Sequence, residues 1–113
     1  MQDAYIVAGY RTAVGKAKRG GFRFYRPDDL AVEVIKGLMA SVPQLDPLQV
    51  DDVIVGNAVP EAEQGLQVGR IIAARAIGFH APGITVNRYC ASGLPLVSRS
   101  SSIARMLQSV GPF

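Results

Sequence analysis

The sequence predicts a small α/β domain with a largely parallel sheet, because three short apolar runs alternate with two stretches of helical periodicity. The apolar runs lie at residues 4–8, 53–55 and 84–86, and the helical stretches at residues 27–42 and 65–77. Parallel neighbours in a sheet need long crossovers, and this strand, helix, strand, helix, strand order supplies them as helices. With 113 residues, the chain has room for one domain at most.

The first apolar run, Ala4–Ala8, stops at Gly9 and is typical of a strand buried on both faces. Residues 11–26 follow, polar and basic, with three glycines and neither a helical nor an alternating pattern. This pattern predicts a loop. It is longer than most connections between a strand and a helix, and long loops are often functional or lie at interfaces.

The first helix is expected to begin at Pro27, because proline is tolerated in the first turn and the carboxylates of Asp28 and Asp29 favour the positive end of the helix dipole. Pro43 should end it. An apolar stripe runs between them at helical spacing: Leu30, Val34, Ile35, Leu38, Met39 and Val42.

Two further strands flank the second helix. Val53–Val55, before Gly56 and Asn57, reads as a buried strand, and Ile84–Val86, after Pro82 and Gly83, reads as the third strand. Residues 65–77 carry apolar residues three and four apart, and Gly78 stands where a glycine with positive φ would end this second helix.

Composition excludes several classes of protein. Apolar residues make up 49% of the chain and charged residues 19%, too apolar and too weakly charged for intrinsic disorder. The single cysteine, Cys90, and the single histidine, His80, rule out a disulfide scaffold and a structural zinc site. No metal site is therefore predicted.

The net charge of +3 is unevenly distributed. Residues 1–26 are mostly basic, residues 27–69 are mostly acidic, and the charged residues of 70–113 are all arginines. These arginines are scattered through apolar stretches rather than gathered on one element, so we expect no nucleic-acid partner. Residues 1–8 lack the pattern of a secretory signal, and the apolar stretches are too short to span a membrane. We expect a cytoplasmic location and no membrane contact.

Cys90 is the candidate catalytic residue, because it follows a predicted strand at the point where a helix could begin. The positive end of a helix favours the nucleophilic thiolate, and free backbone N–H groups in such a turn can stabilise an oxyanion. The alternative is that Cys90 is a small buried hydrophobic residue. His80, between Phe79 and Pro82, is expected to be a surface histidine in a turn.

The stretch Val86–Leu94, VNRYCASGL, resembles the nucleophile segment of thiolases, the acetyl-CoA acetyltransferases and 3-ketoacyl-CoA thiolases. Three other stretches agree with the family in order and spacing: Ile6–Gly15, with Ala13 where proline is usual, Asp51–Asn57 and Gly69–Arg75. The resemblance covers residues 4–94. It implies the N-terminal half-domain of the thiolase fold, a βαβαβ unit that is incomplete relative to the family.

The resemblance implies a function in fatty acid metabolism. Cys90 would attack 3-oxoacyl-CoA, release acetyl-CoA and pass the acyl group to free CoA, with its own backbone N–H as an oxyanion donor. Run in reverse, the reaction condenses two acyl-CoA molecules. Asn87, Arg88, Ser92 and Gly93 would support the turn. The substrates would be acyl-CoA and CoA, no cofactor is implied, and the parent enzymes would be homo-oligomers.

Part of the family's machinery has no counterpart in the sequence. The histidine that activates the nucleophile, the second cysteine that serves as acid and base, and the region that holds much of the CoA are all lacking, so we expect the chain to be inactive alone. The resemblance stops after residue 94. Residues 95–113 are then a divergent tail, either frame-shifted or chimeric, or else a genuine helix, since Ile103, Met106, Leu107 and Val110 keep helical spacing.

Two other functions stay open. A ketoacyl synthase, a related condensing enzyme, also places a cysteine at a helix start, although the motif around Cys90 favours a thiolase. The chain could also be a truncated, non-catalytic product or an interaction fragment.

Overall fold

A three-stranded parallel sheet with strand order β2-β1-β3 is the centre of the fold. The computed structural model describes residue 3, residues 5–93 and the backbone of residues 105–110. The strands are β1 (Asp52–Asn57), β2 (Gly83–Val86) and β3 (Arg105–Val110), and the helices are α1 (Pro27–Ser41) and α2 (Val68–Ala76). The predicted α/β class is confirmed.

The middle strand, β1, is deeply buried. It pairs on one edge with β2, where Gly56 lies opposite Val86, and on the other edge with β3. Val53 and Val55 have no exposed surface, and Ile54 is 2% exposed. A parallel strand with neighbours on both edges is expected to be apolar on both faces, as this one is.

Helix α1 begins at Pro27, as the sequence predicts, and ends at Ser41, two residues before Pro43. Its buried Asp28 accepts hydrogen bonds from Arg26 and, at 2.9 Å, from Arg75 in the last turn of α2. Hydrogen bonding to Asp28 raises the pKa of Arg26, and hydrogen bonding to Asp29 raises that of Arg75. These ion pairs join the start of α1 to the end of α2.

Helix α2 lies so close to β2 that a side chain at position 69 would overlap the carbonyl oxygen of Ile84. Glycine permits this approach. The N–H of Gly69 donates a hydrogen bond of 2.9 Å to the hydroxyl of Thr85. The helix ends before Gly78, which has a φ of +142°, as the sequence predicts for the residue after a helix end.

The first predicted strand is not formed. Residues 5–10 have no regular structure, and the side chains of Tyr5, Ile6 and Val7 are 81%, 87% and 79% exposed. Ala4 lies outside the described residues. A strand needs a neighbour to pair its backbone groups, and within the described sheet, β2-β1-β3, no strand pairs with residues 5–8.

The helical spacing of the tail is also misleading. Residues 105–110 form β3, parallel to β1, so a helix through Met106, Leu107 and Val110 is wrong. Pairing along the edge of β1 supplies hydrogen bonds that outweigh a weak periodicity. Residues 94–104, which include Ile103, and residues 111–113 lie outside the described residues.

Within residues 5–93, neither α1, with 15 residues, nor α2, with nine, is long and apolar enough to span a bilayer.

We predict that Ile72→Ala lowers the free energy of unfolding by about 2–5 kcal/mol, because Ile72 is fully buried and its loss leaves a cavity beside β1. The neighbouring Ile71 is 40% exposed and provides the matched control. Urea titration measures both variants, and Ile71→Ala should lower the free energy of unfolding much less than Ile72→Ala. Equal losses for the two variants would contradict the placement of the core.

Candidate active site around Cys90

Cys90 lies in a single turn of 3-10 helix, Tyr89–Ala91, four residues beyond the end of β2. The turn follows the carboxyl end of β2, the edge at which open α/β sheets usually bind ligands. The side chain is exposed, so the alternative interpretation of Cys90 as a buried hydrophobic residue is wrong. In place of the expected α-helix start, residues 89–91 form this one turn.

The backbone is strained immediately before the cysteine. Tyr89 has a φ of +48°, a left-handed conformation that is uncommon for a residue other than glycine. Its N–H donates a hydrogen bond of 2.9 Å to Oδ1 of Asn87, which closes an Asx turn. Strain of this kind persists only where surrounding contacts hold it, and it occurs frequently at functional sites.

Ser92 supplies the contacts that hold Tyr89 in place. Its side-chain hydroxyl donates to the carbonyl oxygen of Tyr89 at 2.6 Å and accepts from the N–H of Arg88 at 2.9 Å. The carbonyl of Arg88 in turn accepts from the N–H of Ala91 at 3.1 Å. The serine is only 4% exposed. These bonds bracket the strained residue, so the position of Cys90 depends on them.

The end of β1 lies directly beneath this turn. A Cβ atom built on Gly56 would lie 2.9 Å from the carbonyl oxygen of Ser92 and 3.3 Å from its Cβ. In the sequence, Gly56 marks only the end of a predicted strand. A glycine inside a strand is a known sign of close backbone approach, which is the signal that could have identified this contact.

The structure brings together four of the five residues predicted for the site: Asn87, Arg88 and Ser92 form the hydrogen bonds around Cys90. The fifth, Gly93, is half-buried and ends the described turn. For Arg88, the backbone rather than the guanidinium makes these contacts.

His80 is at the other end of the sheet. It precedes β2, whereas Cys90 follows it, and its Nε2 lies 2.9 Å from the carbonyl oxygen of Pro47, which itself precedes β1. It is an exposed histidine in a turn, as predicted. In the described part of the chain, no group of three or more histidine, cysteine or acidic side chains could hold a metal ion.

Comparison with known families gives a match over nearly the whole chain. Residues 4–109 match the family model described as the thiolase N-terminal domain. The matched range includes β1, α2, β2 and the turn that carries Cys90.

Curated relatives agree with this match. Over 99 residues, the chain is 46% identical to a 3-ketoacyl-CoA thiolase of Bacillus subtilis, an alignment that covers 87% of this chain and 25% of the relative. It is 43% identical to a 3-ketoacyl-CoA thiolase of Saccharophagus degradans, covering 82% of the chain and 24% of the relative. It is 44% identical to the peroxisomal 3-ketoacyl-CoA thiolase 5 of Arabidopsis thaliana, covering 85% and 21%. The chain thus spans about a quarter of the length of these relatives.

We predict that Ser92→Ala lowers the free energy of unfolding by about 1 kcal/mol, because the N–H of Arg88 and the carbonyl oxygen of Tyr89 both lose their hydrogen bond to the Ser92 hydroxyl. Amide hydrogen exchange at Arg88 should also become faster. Ser41→Ala is the control, since it removes an exposed hydroxyl that bonds Leu38 at the end of α1. Unchanged exchange at Arg88 in Ser92→Ala would show that the hydroxyl does not hold the turn.

Proposed function

We propose that this chain, which belongs to the thiolase family, carries the nucleophile of an acyltransferase that moves acyl groups between coenzyme A and a cysteine. The observation that supports this most directly is the exposed thiol of Cys90 on a strained turn at the carboxyl edge of a parallel sheet. The proposed reaction is cleavage of 3-oxoacyl-CoA, or condensation of acetyl-CoA in the reverse direction. Cys90 is the proposed catalytic residue.

In the proposed cleavage, the Cys90 thiolate attacks the 3-oxo carbon of the substrate and forms a sulfur–carbon bond. The bond between C2 and C3 then breaks, and its electron pair remains on the carbon that becomes the methyl group of acetyl-CoA after protonation. Free CoA attacks the enzyme thioester and restores the thiol. Each attack on a carbonyl develops negative charge on oxygen, which the backbone N–H of Cys90 is proposed to stabilise.

The arrangement of the turn supports this role. Asn87, the Arg88 backbone and Ser92 hold the peptide units around Cys90 before any substrate arrives. A preorganised donor needs no reorganisation during the reaction, which is why such groups contribute strongly to catalysis. These residues are proposed to shape the turn rather than to transfer protons.

Proton transfer must come from groups outside this turn. The only histidine precedes β2 and is bonded to Pro47, at the opposite edge of the sheet. The only cysteine is the nucleophile itself. We therefore propose that the general acid and base belong to parts of the thiolase architecture beyond the quarter that this chain spans.

The matched family and the names of the relatives favour a thiolase over a ketoacyl synthase. The proposed substrates are acyl-CoA and CoA. Three further statements stay predictions: homo-oligomeric assembly, a cytoplasmic location and a divergent tail after residue 94. Nucleotide sequencing across the codons after Leu94 tests whether the tail results from a shifted reading frame. A non-catalytic role for the chain is tested by the acylation experiment below.

We predict that incubation with acetyl-CoA attaches one acetyl group to the folded chain, at Cys90. The thiolate attacks the thioester carbonyl, and the electron pair of the broken carbon–sulfur bond leaves with CoA. Intact-mass spectrometry, followed by peptide mapping, measures the extent and position of the adduct. Because the chain has one cysteine, Cys90→Ala should abolish the adduct.

The urea-unfolded chain is the second control in that experiment. It contains the same thiol without the turn and should be acylated more slowly than the folded chain. An adduct on another residue, or equal rates for the folded and unfolded chains, would contradict the proposed nucleophile and favour a non-catalytic fragment.

We also predict that the chain alone does not turn over acetoacetyl-CoA. General acid–base assistance typically contributes about 10²–10⁴-fold, and the described turn, Tyr89–Ala91, contains no histidine, carboxylate or second cysteine to supply it. The absorbance of acetoacetyl-CoA, followed with and without free CoA, measures cleavage. CoA-dependent cleavage that disappears in Cys90→Ala would show that the proton-transfer groups lie within these 113 residues.

A further inference from the structure

Both ends of the turn that carries Cys90 are anchored on one residue of the neighbouring strand. Where the turn begins, Val86 is the parallel pairing partner of Gly56. Where it ends, the backbone of Ser92 lies over the same glycine, 2.9 Å from where its Cβ would be. Residues 87–91 therefore form a closed loop above Gly56.

The space between Gly56 and Ser92 leaves no room for a methyl group. A contact of 2.9 Å is shorter than real Cβ atoms make, and the atoms in the way are the backbone carbonyl carbon and oxygen of Ser92 rather than the end of a flexible side chain. Gly56 is itself buried within β1, where Val55 has no exposed surface. The strand cannot readily yield, so any larger residue at position 56 must displace the turn.

We infer that Gly56 is a positioning residue for Cys90, acting through Ser92. The absence of a side chain at position 56 lets Ser92 settle on β1, where its hydroxyl bonds both sides of Tyr89 and holds the strained backbone that presents Cys90. A side chain there would lift Ser92 and move the Cys90 sulfur and N–H relative to an acyl donor. The effect on acyl transfer rests on the proposed function, whereas the effect on the turn does not.

Two reactions of the same thiol separate positioning from simple exposure. Acylation by acetyl-CoA develops an oxyanion that needs a correctly placed donor, whereas alkylation by iodoacetamide displaces iodide at a CH₂ group and needs only an accessible thiolate. Since Cys90 is the only cysteine, both rates report on one site. Misplacement by about 1 Å can cost on the order of 10²-fold in rate.

The test compares the folded chain with Gly56→Ala and Gly69→Ala. Gly69→Ala is the control, because it forces an even tighter backbone contact, against Ile84 of β2 rather than against Ser92 of the Cys90 turn. We expect Gly56→Ala to lower the acylation rate by about tenfold or more while alkylation changes little. Gly69→Ala should lower the melting temperature but keep the wild-type ratio of the two rates. The inference would be overturned if Gly56→Ala kept the wild-type ratio of acylation rate to alkylation rate, or if this ratio fell equally in Gly56→Ala and Gly69→Ala.

Amide exchange and NMR contacts distinguish this inference from the proposed function. If the folded wild type is acylated no faster than the unfolded chain, the proposed function fails, and exchange at Arg88, Ala91 and Ser92 then decides the inference. Faster exchange at these amides in Gly56→Ala alone supports it, and unchanged exchange overturns it. If Gly56→Ala does not fold, the wild type suffices: a contact between the Gly56 α-protons and the Ser92 side chain supports the inference, and its absence overturns it.

Discussion

The burial of β1 between two parallel neighbours is the constraint on which the rest of this structure depends. Its backbone pairs with β2 and β3, while Ile72 and Val32, from the two helices, pack in the core cluster with Val53 and Val55. Because β1 and β2 run in parallel, their carboxyl ends meet at one edge. The position of the Cys90 turn and its close approach to Gly56 both follow from that pairing.

An apolar segment before the loop remains exposed. Tyr5, Ile6 and Val7 have the composition of a buried strand, yet none of the described strands pairs with them. Hydrophobic composition favours burial, but a strand also needs a partner strand to satisfy its backbone groups. The chain spans about a quarter of the length of the relatives it matches.

Local signals predicted the elements that the middle of the chain forms. Pro27 with two following aspartates marked the start of α1, Gly78 the end of α2, and the valine-rich run after Asp52 the strand β1. These predictions succeeded because each signal acts within a few residues of its effect. The N-terminal strand and the tail helix failed, since both depend on which distant segment lies beside β1.

The candidate site also has features that the sequence predicted and features that only the fold determines. The residues from Asn87 to Gly93 already identified the candidate nucleophile and the side chains around it, because a turn and its hydrogen bonds involve neighbours in sequence. Neither the positive φ of Tyr89 nor the contact between Ser92 and Gly56 could be derived from that stretch. Both arise where two strands end side by side. Residues 36 positions apart then lie side by side, and only the folded sheet determines which atoms meet there.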